Sequence, residues 1–188
     1  MKRRVFVAIN LPKEIKEKLA SFQLKWPELP CRWTKKDNLH VTLAFLGYLT
    51  DEETAEVCQE AKEVGLRHSP FFVNLRKIVY GPQKAAVRLV WAEGAKSEEL
   101  AKLRDDLEGE LIGLSSELES ERGRGYIPHI TLGRLRRWEF RKIEPEERPE
   151  INEDISLSFE VSSVEVMESR LKRGGAEYAV LESCQLSK

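Results

Sequence analysis

The chain has 188 residues, of which 41% are hydrophobic and 34% charged, and its net charge is −1. That is enough apolar material for a core, yet no apolar run approaches the roughly 20 residues that cross a bilayer, so a membrane-spanning class is excluded. A net charge so near zero neither demands nor rules out a nucleic acid partner.

In chain order, the start "MKRRVFVAINLPKE" is basic, but its apolar stretch is short and lacks a small-residue cleavage site. A signal peptide is therefore not expected, and the cytoplasm is the expected location. "RVFVAIN" reads as a strand. "LPKEIKEKLASFQLKW" reads as a helix with Pro12 in its first helical position and Leu11, Ile15, Leu19 and Phe22 on one side. The turn-rich "PELPCRWTKKDN" leads into "LHVTLAFL", a strand ended by Gly47. "TDEETAEVCQEAKEVG" is a second helix, capped by Thr50 or Asp51, with Gly65 just beyond its end. "PFFVNLRKIVYG" and "AAVRLVWAEG" are strands, and "SEELAKLRDDLEGELIGL" is a helix capped by Ser97. A charged, proline-containing linker is expected over residues 137–155, followed by strands "LSFEVSSVEVMES" and "AEYAVLESCQL" joined by "RLKRGG". Cys31, Cys58 and Cys184 are odd in number and have no metal or redox spacing, which argues against a disulfide framework.

Two stretches rhyme. "NLHVTLAFLG" around His40 and "YIPHITLGR" around His129 each carry His, a β-branched residue, Thr and Leu, and they take two of the chain's three histidines. Each is preceded by a strand and a helix. The chain thus reads as an α+β fold, bilobal, with two pseudo-symmetric lobes. Charge is uneven around the second motif: residues 121–142 hold seven Lys or Arg against two Glu, and residues 144–154 hold six acids against one Arg. A solvated charged face explains that pattern as well as a binding surface does.

In a strand, side chains alternate between faces, so His40 and Thr42 point one way while Leu39, Val41 and Leu43 point the other. His129 and Thr131 are likewise opposed by Ile130 and Leu132. If the halves are related by a pseudo-twofold axis, two imidazoles and two hydroxyls converge on one cleft. The chain has no Gly-x-Ser-x-Gly nucleophile pattern and no Gly-Lys-Ser/Thr phosphate loop. Two histidines flanking an anionic centre suit in-line displacement at phosphorus, one as base and one as acid, each contributing roughly 10²–10⁴ in rate. Such factors suit a reactive cyclic phosphodiester better than an ordinary one. A single His-x-Thr-Leu in a strand is ordinarily just packed; two copies in equivalent places reverse that balance. Zinc is the chemical rival, but it needs three or four ligands, and His68, in "GLRHSP", reads as a surface residue, so no metal is expected. Trp33, Phe45 and Trp138 are aromatic candidates for stacking on a base, and Arg134 for clamping a phosphate.

"LHVTLAFLG" and "PHITLGR" resemble the two His-x-Thr-x signatures of the 2H phosphoesterase superfamily, and in particular the RNA 2′,3′-cyclic phosphodiesterases (LigT-like proteins, historically 2′-5′ RNA ligases). "RVFVAINLP", "VRLVWAEG" and "MESRLKRGGAEYAVLESCQL" resemble that family's first strand, middle strand and closing hairpin. The resemblance implies that residues 1–188 form a single domain of two interleaved lobes, each an antiparallel sheet packed with helices, around a central cleft. It implies metal-independent hydrolysis of RNA or nucleoside 2′,3′-cyclic phosphodiester ends to 2′-phosphomonoesters, with no cofactor, no protein partner and a monomeric chain. His40 would be the proton donor, His129 the proton acceptor, and Thr42 and Thr131 the phosphate-binding residues. Arg134, Phe45 and Trp33 are further candidate substrate contacts. "RLKRGG" stands where relatives often carry a Lys-Pro-x-Gly turn. 2′-5′ RNA ligation in the same site, and non-catalytic binding of RNA ends or nucleotides, are the alternatives; intact histidines at both motifs weigh against mere binding, for which Arg or Lys would serve better.

Overall fold

The structure, a computed structural model, describes residues 2–82, 86–121 and 126–187. Strand β1 (Arg3–Asn10) leads to helix α1 (Lys13–Gln23), the short strand β2 (Cys31–Trp33) and the first motif strand β3 (His40–Leu49). Helix α2 (Asp51–Gly65), strands β4 (Phe71–Gly81) and β5 (Leu89–Gly94) and helices α3 (Glu98–Leu111) and α4 (Ser116–Glu121) follow. The second motif strand β6 (His129–Leu135) is followed by α5 (Arg137–Lys142), β7 (Asn152–Val161), β8 (Ser163–Lys172) and β9 (Gly175–Gln185).

The helices start where the sequence supplies caps. At α2 the Thr50 hydroxyl accepts from the Glu53 N–H (3.2 Å) and the Glu53 carboxylate accepts from the Thr50 N–H (2.7 Å). This reciprocal box satisfies two otherwise orphaned donors, with Asp51 and Glu52 adding charge at the positive end of the helix. Ser97 caps α3 by accepting from Leu100 N–H at 3.1 Å. Leu100, Leu103, Leu107 and Leu111 then form one buried stripe at helical spacing. Pro12 is the N-cap of α1 rather than its first helical residue.

Among the described residues, nine strands form one antiparallel sheet in the order β7-β4-β5-β6-β3-β1-β8-β9, with β2 paired to β6. The expectation of a separate sheet in each lobe is corrected: two four-strand halves are joined where β3 meets β6, at the single register pair Val41↔Ile130. The halves repeat the same plan, β1–α1–β3 against β5–α3–β6, and they interleave. The chain builds β1 and β3, crosses to make β4 to β7, and returns for β8 and β9.

The apolar alternation of the motif strands does what strand periodicity requires. Val41, Leu43, Ile130 and Leu132 join β1's Val5, Val7 and Ile9 and the helical stripes in the main core. The intervening residues Phe6 and Ala8 of β1 fall on the other side, in a second small cluster with Met167 and Tyr178.

Several boundaries differ from expectation. β3 runs past Gly47, whose φ of +75° lets the strand bend and continue to Leu49. "LSFEVSSVEVMES" is two strands, broken at Ser162 and sent to different halves of the sheet. The expected linker over residues 137–155 contains α5, anchored by buried Phe140, and the start of β7, preceded by buried Ile151. The strand expected from "AAVRLVWAEG" begins only at Leu89; its residue 85 lies outside the described residues. His68, expected at the surface, is buried: the turn after α2 tucks its ring against α3, where Nε2 lies 2.8 Å from Asp106 Oδ2. A buried imidazole needs such a partner.

Candidate active site

Pairing of Val41 with Ile130 fixes what faces what. Continuing that antiparallel register by one residue each way sets His40 across from Thr131 and Thr42 across from His129. On that register each motif's histidine lies opposite the other motif's threonine, while the His–Thr hydrogen bond formed is within the first motif, His40 to Thr42.

Both imidazoles are anchored identically. His40 Nδ1 lies 2.7 Å from the carbonyl of Asn38, and His129 Nδ1 lies 2.7 Å from the carbonyl of Ile127, each two residues upstream. A carbonyl only accepts, so Nδ1 carries the proton in both rings and Nε2 presents its lone pair. In His40 that lone pair accepts from the Thr42 hydroxyl at 3.0 Å. Burial above all, with the charges of Lys16, His129 and Arg134 and against the raising effect of the Asn38 carbonyl, brings the His40 imidazole down to about 4. His129 is lowered too, again chiefly by burial, opposed by the Ile127 carbonyl and the Glu93 carboxylate.

Aromatic rings wall each histidine. Phe6 and Tyr178 pack on His40 at centroid distances of 5.1 and 5.2 Å, the tyrosine edge-on. Trp91 stacks on His129 at 4.0 Å and 24°. None of the three was singled out from sequence. Phe6 carried a signal, since it alternates with the core-facing Val5 and Val7; Tyr178 and Trp91 reach the site only through strand pairing.

A β-bulge follows each motif. The partners of Val7 and Ala8 are Ala44 and Thr42, which leaves Leu43 unpaired with β1. The partners of Val90 and Trp91 are Gly133 and Thr131, which leaves Leu132 unpaired with β5. An extra residue on one strand resets which side chains face which way. Leu43 and Leu46 therefore both face the main core, as do Leu132 and Leu135, while Phe45 and Arg134 emerge exposed on the opposite side. Phe45 and Arg134 occupy equivalent positions five residues after His40 and His129, so the two motif strands present matching histidines and threonines but an aromatic ring on one and a guanidinium on the other. The Phe45 ring lies 6.2 Å from Phe6.

Trp33 is half-buried at the end of β2. Its ring lies over Gly133, where any Cβ would come within 2.8 Å of it, and it stacks on Trp26 at the edge of the main core. Trp138 is exposed on α5 with Lys142 over its ring. Among the described residues no group of three or more His, Cys, Asp or Glu side chains is gathered as a metal ion would need, and no helix is long and apolar enough to cross a membrane.

Residues 9–91, which contain the first motif and Trp91, match the family described as LigT like phosphoesterase. The RNA 2′,3′-cyclic phosphodiesterase of Methanocaldococcus jannaschii is 29% identical over 180 residues, spanning 95% of this chain and 98% of its own. Over nearly its full length the chain is thus similar to LigT-like phosphoesterases. Its fold is also that of solved structures. A Thermus thermophilus protein superposes with a TM-score of 0.82 at 28% identity, covering 97% of each chain. E. coli LigT in complex with 3′-AMP superposes with a TM-score of 0.75 at 27% identity, covering 100% of this LigT-like chain and 99% of its own.

Proposed function

We propose that this chain opens 2′,3′-cyclic phosphodiester ends of RNA to 2′-phosphomonoesters by paired histidine catalysis. The observation that carries this reading is the pair of imidazoles, each held by Nδ1 on the carbonyl two residues upstream and each set across from the other motif's threonine. The 3′-AMP held by E. coli LigT and the activity of the M. jannaschii relative support a nucleotide occupant and a cyclic phosphate substrate.

In this mechanism water attacks phosphorus in line with the departing 3′-oxygen. His129 Nε2 takes the water proton, and protonated His40 Nε2 gives its proton to the 3′-oxygen. The P–O3′ bond breaks as the new P–O bond forms, leaving a 2′-phosphate and a 3′-hydroxyl. Thr42 turns its hydroxyl from His40 to a phosphate oxygen, and Thr131 donates to another, stabilising charge where it develops. Burial favours the neutral form of His40; the phosphate anion favours its protonated form, so the acid gains its proton as substrate arrives. Phe45 offers the base a stacking face, and Arg134 a fork of donors.

The test is an RNA oligonucleotide ending in a 2′,3′-cyclic phosphate, incubated with the protein in EDTA, its product distinguished as a 2′- or 3′-phosphate. Accumulation of the 2′-phosphate supports the reading. No turnover, or a 3′-phosphate product, overturns it.

A further inference from the structure

The two halves of the sheet meet through a single β3–β6 register pair, supplemented by the short strand β2, yet the mechanism needs the two histidines set against one phosphorus. Something besides the ladder must fix their separation. The backbone groups at the two bulges are where a fastening is required, since a bulge leaves its extra residue without a cross-strand partner.

At the first bulge, Arg104 of α3 donates through Nε to the carbonyl of Leu43 at 3.3 Å. Beside it, the Tyr126 hydroxyl donates to the carbonyl of Thr42 at 3.0 Å, with the Arg104 guanidinium over its ring at 4.4 Å. Both residues belong to the half that carries His129, and Tyr126 lies three residues before it. At the second bulge the direction is reversed. Gln23 of α1, in the half that carries His40, donates through Nε2 to the carbonyl of Leu132 at 3.0 Å and to that of Thr34 at 2.9 Å. The Thr34 N–H donates to the same Leu132 carbonyl at 2.8 Å. Each half therefore reaches across and grips the bulge of the other.

Resting on the two-histidine reading above, we propose that Tyr126, Arg104 and Gln23 are positioning residues, two reciprocal clasps that set the distance between His40 and His129. None of them touches the phosphate. They act by holding Thr42 and Leu132, and with them the histidines, in register. Burial pushes the Tyr126 phenol up, which keeps it protonated as a donor throughout the working pH range. Misplacing a catalytic group by about 1 Å costs on the order of 10²-fold in rate, so a loosened clasp shows in turnover before it shows in binding.

The experiment compares Tyr126→Phe and Gln23→Met with a control, Tyr80→Phe. The Tyr80 hydroxyl donates to the Pro149 carbonyl at 2.7 Å, and its ring packs against the main core rather than the cleft. The control therefore removes the same kind of bond away from the site. Melting temperature, kcat and KM on a nucleoside 2′,3′-cyclic phosphate are measured well below every melting transition. The expected result is a kcat reduced about tenfold or more in both clasp variants, with KM changed less than about threefold, and an unchanged kcat in the control even where its melting temperature falls equally. An unchanged kcat in the clasp variants, or a loss shared by the control, overturns the proposal. If the wild-type protein does not turn over the cyclic phosphate, the hydrolase reading falls, and the clasps are judged by affinity for inorganic phosphate. Binding weakened modestly in the clasp variants alone, within the roughly threefold bound set for KM, then supports them. Equal affinities, or no phosphate binding even by the wild type, overturn them.

Discussion

His40 and His129 differ in surroundings more than in geometry. Both give Nδ1–H to a carbonyl two residues upstream, but His40 lies between Phe6 and Tyr178 while His129 stacks on Trp91. The proposed mechanism requires one imidazole neutral and the other protonated, so kcat/KM is expected to follow a bell-shaped pH profile whose two apparent pKa values belong to the pair. A rate that only rises with pH would point to hydroxide attack without an acid. The depressed pKa of His40 also ties stability to pH. It falls from the ordinary 6.5 to about 4 in the folded protein, so the unfolded chain binds the proton more readily. The stability owed to neutral His40 is full above about pH 6.5 and is lost as pH falls towards 4. Melting temperature should decline over that window, less steeply in His40→Gln and less steeply with phosphate bound. An equal slope in His40→Gln would contradict the buried, neutral imidazole. Thr42→Ala and Thr131→Ala each remove one hydroxyl donor while both imidazoles remain, and each is expected to lower kcat by roughly 10²-fold or less. The four motif residues were legible because strand periodicity alone puts His and Thr on one face. The aromatic walls were not, since Tyr178 and Trp91 come from strands whose pairing no local pattern specifies.

At the scale of elements, the bulges decide which residues join the cleft. Simple alternation from His40 puts Leu46, not Phe45, on the cleft face, and alternation from His129 does the same for Leu135 rather than Arg134. One extra residue after each Thr, Leu43 and Leu132, reverses this and brings an aromatic ring and a guanidinium to equivalent positions. Arg134→Ala is expected to raise KM for an oligonucleotide with little change in kcat, because the proposed role of Arg134 is to bind substrate and not to act as acid or base; a fall in kcat equal to that of a histidine variant would assign Arg134 to the chemistry. Helices were read from caps and stripes, and α2 and α3 start where Thr50 and Ser97 place them. His68 escaped that reading because its partner, Asp106, is 38 residues away. Replacing His68 by Ala should cost about 1–3 kcal/mol of stability and leave the catalytic pH profile unmoved. A changed profile would tie this pair to the site.

At the scale of the whole molecule, the repeat of strand, helix and motif strand was visible in the sequence, but the way the copies join was not. One antiparallel sheet, pinned at Val41 and Ile130 and interleaved by the return of β8 and β9, depends on contacts far apart in the chain. In the proposed mechanism the two histidines supply both proton transfers, so activity should survive exhaustive chelation, and loss restored by zinc or magnesium would sink the two-histidine mechanism. The most direct test of that mechanism separates acid from base. A 3′-oxygen needs a proton to leave, whereas a bridging 3′-sulfur departs as thiolate with scarcely any help. The measurement is the rate of His40→Ala and His129→Ala on the natural cyclic phosphate and on its 3′-thio-bridged analogue. His40→Ala should be nearly inactive on the first and recover by up to about 10²–10⁴ on the second, while His129→Ala stays impaired on both. Rescue of His129→Ala alone would exchange the two roles, and rescue of neither would contradict a histidine acid.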